Sequence, residues 1–278
     1  MRLGVMFDRD LPPERLVPVA RELDALPGVH DLWVVEDLGW TGGISAAATA
    51  LAATSRLRVG LGITPAPLRN PMLLAMELAN LARLHPGRLA AGIGHGVPAW
   101  MAQAGAAVPS PLTLLEETIT SVRALLRGET VTLRGRAVHL DGLSLVHPPP
   151  VPPPVLAGVL RPRSLALSGR VAQGTILPEG FGPARVAEAL KLIAADGDHE
   201  LVCFTHLGIG DDSRTREIRE EFAPFLGVAP DEVAMATGSA AEAAAHVKDL
   251  WAAGAGTVTV RPIGTDPLPH VTGLLSAL

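Results

Sequence analysis

Eight short apolar runs that alternate with helical stretches constrain this chain more than any other feature. They fall at residues 2–7, 31–35, 57–63, 88–93, 154–159, 174–177, 201–207 and 257–261. Several are apolar on both faces, as in Leu3-Gly-Val-Met-Phe7 and Leu32-Trp-Val-Val35. A strand wetted on one side alternates in polarity, whereas one covered on both sides does not. Strands of that kind sit in parallel sheets joined by helical crossovers. The helices carry their own punctuation. Asn70-Pro71 supplies an N-cap and a proline at the first helical position, and His85-Pro86-Gly87 ends that helix. Arg161-Pro162 opens another, and Ser239-Ala-Ala-Glu242 is a capping box whose helix stops at Gly254. Eight βα repeats in 278 residues predict an α/β fold, a (β/α)8 TIM barrel forming one domain over residues 1–278. An open doubly wound sheet is the alternative. It is disfavoured because Gly92-Ile-Gly-His-Gly96 lacks the third glycine of a dinucleotide fingerprint.

Two segments fall outside the repeat. Residues 128–146 read as a small hairpin inserted after the fourth helix. His147-Pro-Pro-Pro-Val-Pro-Pro-Pro154 reads as an extended, polyproline-like spacer.

Composition narrows the partners. A net charge of -5 gives no footprint for nucleic acid. The single cysteine, Cys203, cannot form an internal disulfide and lies in a strand run, so it reads as a core residue. The opening Met1-Arg-Leu-Gly-Val-Met-Phe7 lacks a signal-peptide layout, and no apolar run approaches the roughly 20 residues of a membrane helix. The expectation is a cytoplasmic protein acting on a small-molecule substrate.

Barrel chemistry sits at the C-terminal ends of the strands. The first strand ends at Asp8, which could contact a cofactor, act as a base or cap the next helix. The second ends at Glu36-Asp37. Neighbours on a strand face opposite sides, so one of the two is expected in the barrel mouth, where it could exchange a proton. The third ends at Gly62-Ile63-Thr64 and the fourth at Gly94-His95-Gly96. Bare glycine backbone there would let a flat ligand approach closely. Beyond the fifth strand, Arg161 and Arg163 flank the start of a helix and Ser164 adds a hydroxyl, a pattern suited to an anion or phosphate. Pro178-Glu179, His206 and Arg261 mark the ends of the last three strands. Trp40 and Trp100 lie in strand-end loops, where either an aromatic wall or surface packing is open, while Trp33 and Trp251 read as packing. A metal site at Asp8, His95 and His206 is not expected, since no His-x-His follows the first strand.

These motifs, in this order, resemble the bacterial luciferase-like family over nearly the whole chain. Asp31-Leu-Trp-Val-Val-Glu-Asp37 is similar to the family's second strand, and Gly60-Leu-Gly-Ile-Thr-Pro65 to its third-strand bulge, notably that of methylenetetrahydromethanopterin reductases. Residues 87–96 resemble the fourth-strand signature, 161–175 the phosphate-side helix and following strand, and 238–261 the C-terminal helix and strand. The resemblance implies a barrel that holds a flavin or deazaflavin ring across its mouth for hydride transfer or oxygen activation. It implies coenzyme F420 as cofactor, with FMN as the alternative, and a homodimer as a possible assembly. It implies a cis peptide at Gly62–Ile63. Asp8, Gly62, Ile63, Thr64, Gly94, His95, Gly96, Arg161, Arg163 and Ser164 would then bind the cofactor, while Asp37 and Glu36 would be catalytic, with Asp37 preferred. Two readings stand beside this one: a non-catalytic cofactor-binding barrel, or a phosphate- or metal-using barrel hydrolase or lyase. Glu36-Asp37 stands where many F420-using members carry a histidine after the aspartate.

Overall fold

The computed structural model describes residues 1–210 and 214–278. Its strands are β1 (Arg2–Met6), β2 (Asp31–Val34), β3 (Arg58–Pro65), β4 (Leu89–Gly94), β5 (Val131–Arg134), β6 (His139–Leu143), β7 (Val155–Gly158), β8 (Gly174–Leu177), β9 (Glu200–Ile209), β10 (Ala236–Gly238) and β11 (Thr257–Pro262). The helices are α1 (Leu16–Asp24), α2 (Gly43–Ala53), α3 (Pro71–Leu84), α4 (Pro98–Gln103), α5 (Pro111–Leu126), α6 (Pro162–Val171), α7 (Pro183–Ile193), α8 (Arg214–Leu226), α9 (Ala240–Ala252) and α10 (Leu268–Ala277). Eight strands pair in parallel in the order β1-β2-β3-β4-β7-β8-β9-β11, and β11 returns to β1. The sheet is closed, so the fold is a TIM barrel and not an open sheet. β5 and β6 form the antiparallel hairpin after α5. Glu117 of α5 ties it down by accepting the amides of Arg136, Ala137 and Val138 at 2.8, 2.9 and 2.7 Å.

The local signals operate as their chemistry requires. The Asn70 side chain accepts the Met72 amide and opens α3. Ser239 and Glu242 satisfy each other's amides at the start of α9. Arginines close other helices. Arg56 donates to the carbonyls of Leu23, Asp24 and Leu26 at the end of α1, and Arg88 to Thr54 after α2.

Two apolar layers follow from the closed sheet. The larger lies between strands and helices. The smaller fills the barrel itself with Met6, Trp33, Ala90, Leu156, Ile176, Val202 and Phe204. Trp33 and Phe204 meet edge to face at 5.4 Å. Cys203 is buried and free, and burial pushes its thiol up to about 12, as befits a core residue. No helix among the described residues is long and apolar enough to cross a membrane.

Two features depart from the sequence reading. β9 extends to Ile209, and β10 pairs with that extension. The polar helix α8 packs over the mouth, where Phe222, Pro224 and Phe225 line the cavity described next.

Candidate active site

A cavity of about 1130 Å³ opens at the C-terminal ends of the strands. Of the sequence-predicted residues, Glu36, Asp37, Gly62, Ile63, His95, Gly96, Arg161, Arg163 and Ser164 line it. Asp8, Thr64 and Gly94 do not. Asp8 lies behind the wall, bound to Arg261 at 2.6 Å and to the Asp10 amide at 2.8 Å. Burial alone would raise its pKa, but the hydrogen bond and charge of Arg261 outweigh that and hold it below the usual carboxylate range. Thr64 is fully buried. Gly94 makes room for Ile63, since a Cβ there would meet Ile63 Cδ1 at 2.8 Å.

The Gly62–Ile63 peptide is cis, and the β3–β4 register shifts between Leu61 and Thr64. The glycines around it serve packing as well, although Gly62 and Gly158 also line the cavity. A Cβ on Gly60 would meet the Trp33 ring at 2.3 Å, one on Gly62 Phe204 at 2.6 Å, and one on Gly158 Ile63 at 2.2 Å. The missing side chains admit the barrel's own residues, and Ile63 and Phe204 form part of the cavity floor.

Glu36 and Asp37 both line the cavity, because β2 ends at Val34 and the alternation of a strand no longer applies to them. Their surroundings differ. Glu36 is held by both nitrogens of Arg69 and accepts the Gly43 amide, at the start of α2, at 3.0 Å. Asp37 has one strong partner, Arg9, at 2.7 Å, and is partly open. Arg9 also lies 4.7 Å above the Trp40 ring, and Trp40 packs 5.9 Å from Trp100, which lines the cavity.

Across the mouth, Arg161 caps the start of α6, and its guanidinium donates to the Phe225 carbonyl of α8 at 3.1 Å. Arg163, two residues on, is exposed and makes no hydrogen bond or ion pair with the described residues. His95 Nε2 lies 3.1 Å from Ser164 Oγ. Burial lowers the His95 pKa, so the ring is neutral near pH 7. The Pro111 carbonyl offsets part of this without reaching hydrogen-bond geometry at Nδ1.

The sequence reading passed over two lining residues as site members. Glu179 is buried two residues beyond β8, and Arg261 is held between Asp8 and Glu179, the latter at 3.4 Å. Their position at strand ends was legible, but their pairing across 82 residues of sequence was not. His206, near the end of β9, is buried against Phe222 at 4.7 Å, and burial drives its pKa down to about 4.

Comparison with known proteins bears on this geometry. Residues 1–266 match the family model described as luciferase-like monooxygenase. The chain is 26% identical over 197 residues to a 5,10-methylenetetrahydromethanopterin reductase of Methanolobus tindarius, covering 70% of this chain and 59% of the relative. It is 29% identical over 164 residues to an F420-dependent glucose-6-phosphate dehydrogenase of Nakamurella multipartita, covering 58% and 47%. It is 30% identical over 212 residues to an F420-dependent hydroxymycolic acid dehydrogenase of Mycobacterium tuberculosis, covering 74% and 52%. The chain thus spans about half the length of the curated relatives it matches. An F420-dependent secondary alcohol dehydrogenase, solved with an F420–acetone adduct, shares the fold with a TM-score of 0.84 at 17% identity, covering 100% of this chain and 98% of the other.

Proposed function

The chain belongs to the luciferase-like monooxygenase family, and from that premise we propose that it is an oxidoreductase using coenzyme F420 on a small organic substrate. One observation carries the reading: a single cavity joins a floor of Gly62, Ile63 and Phe204 to an anion-seeking rim of Arg163, Arg161 and Ser164. The residues fit such a coenzyme. Arg163 has a charge to spend, the His95–Ser164 pair offers polar contacts beside it, and the volume exceeds what most single small ligands need. The coenzyme, when bound, supplies the hydride chemistry.

The protein's own part is binding, orientation and proton handling. Arg161, Arg163 and Ser164, with the free Arg163 amide at the start of α6, would hold the phosphate. Gly62, Ile63, His95 and Gly96 hold the ring side. Asp8, Thr64 and Gly94 act from behind this wall and fix its shape. Asp37 handles the proton, since Glu36 has both oxygens committed to Arg69 and to α2. F420 is preferred to FMN because the curated relatives named above include F420-dependent enzymes. Fluorescence titration of F420 and FMN in one buffer at two salt concentrations tests this. The expected outcome is tighter F420 binding that weakens with salt. Tighter FMN binding overturns the choice of cofactor, and binding of neither overturns the reading.

A further inference from the structure

The rim of the cavity divides by charge. Over β4 and β7 stand Arg161 and Arg163, beside neutral His95. This arc is the one assigned above to the anionic end of the coenzyme. Over β8, β9, β11, β1 and β2 the balance reverses. Three lining carboxylates, on Glu36, Asp37 and Glu179, with Asp8 behind the wall, are set against two lining guanidiniums, on Arg9 and Arg261, with Arg69 behind Glu36. Each guanidinium is already engaged: Arg9 with Asp37 at 2.7 Å, Arg69 with Glu36, and Arg261 with Asp8 at 2.6 Å and Glu179 at 3.4 Å. Glu221 of α8 brings a further carboxylate to 3.8 Å from Arg9.

An anionic substrate entering this arc would have to take a guanidinium from its carboxylate, and would meet the surplus of negative charge in a partly buried setting. A cationic substrate would compete with guanidiniums already in place. The remaining surface here is apolar, with Trp100 on one side and Phe222 and Phe225 of α8 on the other. Resting on the F420 reading, we infer that the substrate is an uncharged molecule with an apolar body, and not a phosphate or carboxylate. The paired arginines are a charge filter that keeps anions at the coenzyme's arc.

Three probes of one shape separate the possibilities: cyclohexanol, cyclohexanecarboxylate and cyclohexylamine. Each is titrated by calorimetry into the full chain saturated with F420, so that the anion arc is occupied. Failure to saturate with F420 or FMN is a failure of the family reading and appears before any probe is added. With the coenzyme bound, cyclohexanol is expected to bind at least tenfold more tightly than the carboxylate and more tightly than the amine. A carboxylate or ammonium probe that matches or exceeds the alcohol overturns the inference, as does binding by none of the three. Glu179→Gln removes one carboxylate from Arg261 and is expected to tighten the carboxylate probe about tenfold while leaving the alcohol within about twofold. Glu221→Gln, which removes the carboxylate 3.8 Å from Arg9, is expected to do the same and stands in should Glu179→Gln fold poorly. Unchanged carboxylate affinity in the folded variant rejects the filter.

Discussion

The two sides of the mouth differ at the level of single residues in how much freedom their charges have. Arg163 is exposed and makes no ion pair with the described residues, whereas Arg9, Arg69 and Arg261 are each ion-paired. Arg163→Ala is therefore expected to weaken F420 binding by about tenfold, the scale of one charge-assisted contact at a screened site. The loss should shrink as salt is raised, and fluorescence titrations at two ionic strengths will show whether it does. Equal affinity of the variant at both salts would remove Arg163 from the site. The adjacent acids separate in the same way. Glu36→Gln gives up the bidentate Arg69 pair and weakens the contact that starts α2, so it is expected to cost about 1–2 kcal/mol of stability, read as a lower denaturant midpoint. Asp37→Asn should leave that midpoint nearly unchanged and lower turnover instead. A variant pair with the two effects exchanged would reverse the assignments.

The elements were legible where the physics is local. All eight barrel strands were read because burial on both faces writes a continuous apolar run, and α3 and α9 because their caps are short-range chemistry. β10 escaped because three residues carry no period, and its pairing partner is 29 residues away at Leu207. The lining face of α8 escaped because six of its thirteen residues are charged, and the short apolar stripe of Ile218, Phe222, Phe225 and Leu226 does not say which surface it covers. The glycines of β3 were legible as a signal but not in meaning. Their reason is Trp33 and Phe204, which arrive from β2 and β9, and no local sequence rule brings those rings together. Gly60→Ala makes this testable. The added methyl would fall 2.3 Å from the Trp33 ring, which is fully buried, so the ring or the strand must shift. The expected cost is about 2–3 kcal/mol, with a changed environment for tryptophan fluorescence. A variant of wild-type stability and spectrum would mean that the barrel interior has slack which the packing denies.

The whole barrel has an acid-sensitive mouth and an ionic base. His95, His199, His206 and His246 all have pKa values lowered by burial, His206 furthest, to about 4. Between about pH 6.5 and about 4 the unfolded chain binds protons on these rings that the folded chain refuses. Stability therefore falls on acidification through that window, by up to about 3 kcal/mol from His206 alone. His206→Gln should flatten the slope of denaturant midpoint against pH, whatever its effect at pH 7. At the opposite end, Arg58 joins three strands by donating to Asp31 at 2.7 Å and to Glu200 at 2.6 and 2.8 Å. Asp31 is fully buried and Arg58 nearly so, and burial of such a set costs more than a surface pair ever would. The cluster thus adds little net stability while intact, yet removing its central cation leaves two carboxylates short of a partner, Glu200 with the Thr257 hydroxyl alone and Asp31 with the part-exposed Arg2 alone. Arg58→Met is expected to lower stability by about 3–5 kcal/mol, roughly 10 °C in melting temperature for a chain of this size. Adding Asp31→Asn and Glu200→Gln removes the stranded charges and should restore much of that loss. If the single variant melts within 2 °C of wild type, water reaches the base of the barrel and screens the carboxylates. If the triple variant melts no higher than the single, the cluster acts through hydrogen-bond geometry rather than through charge.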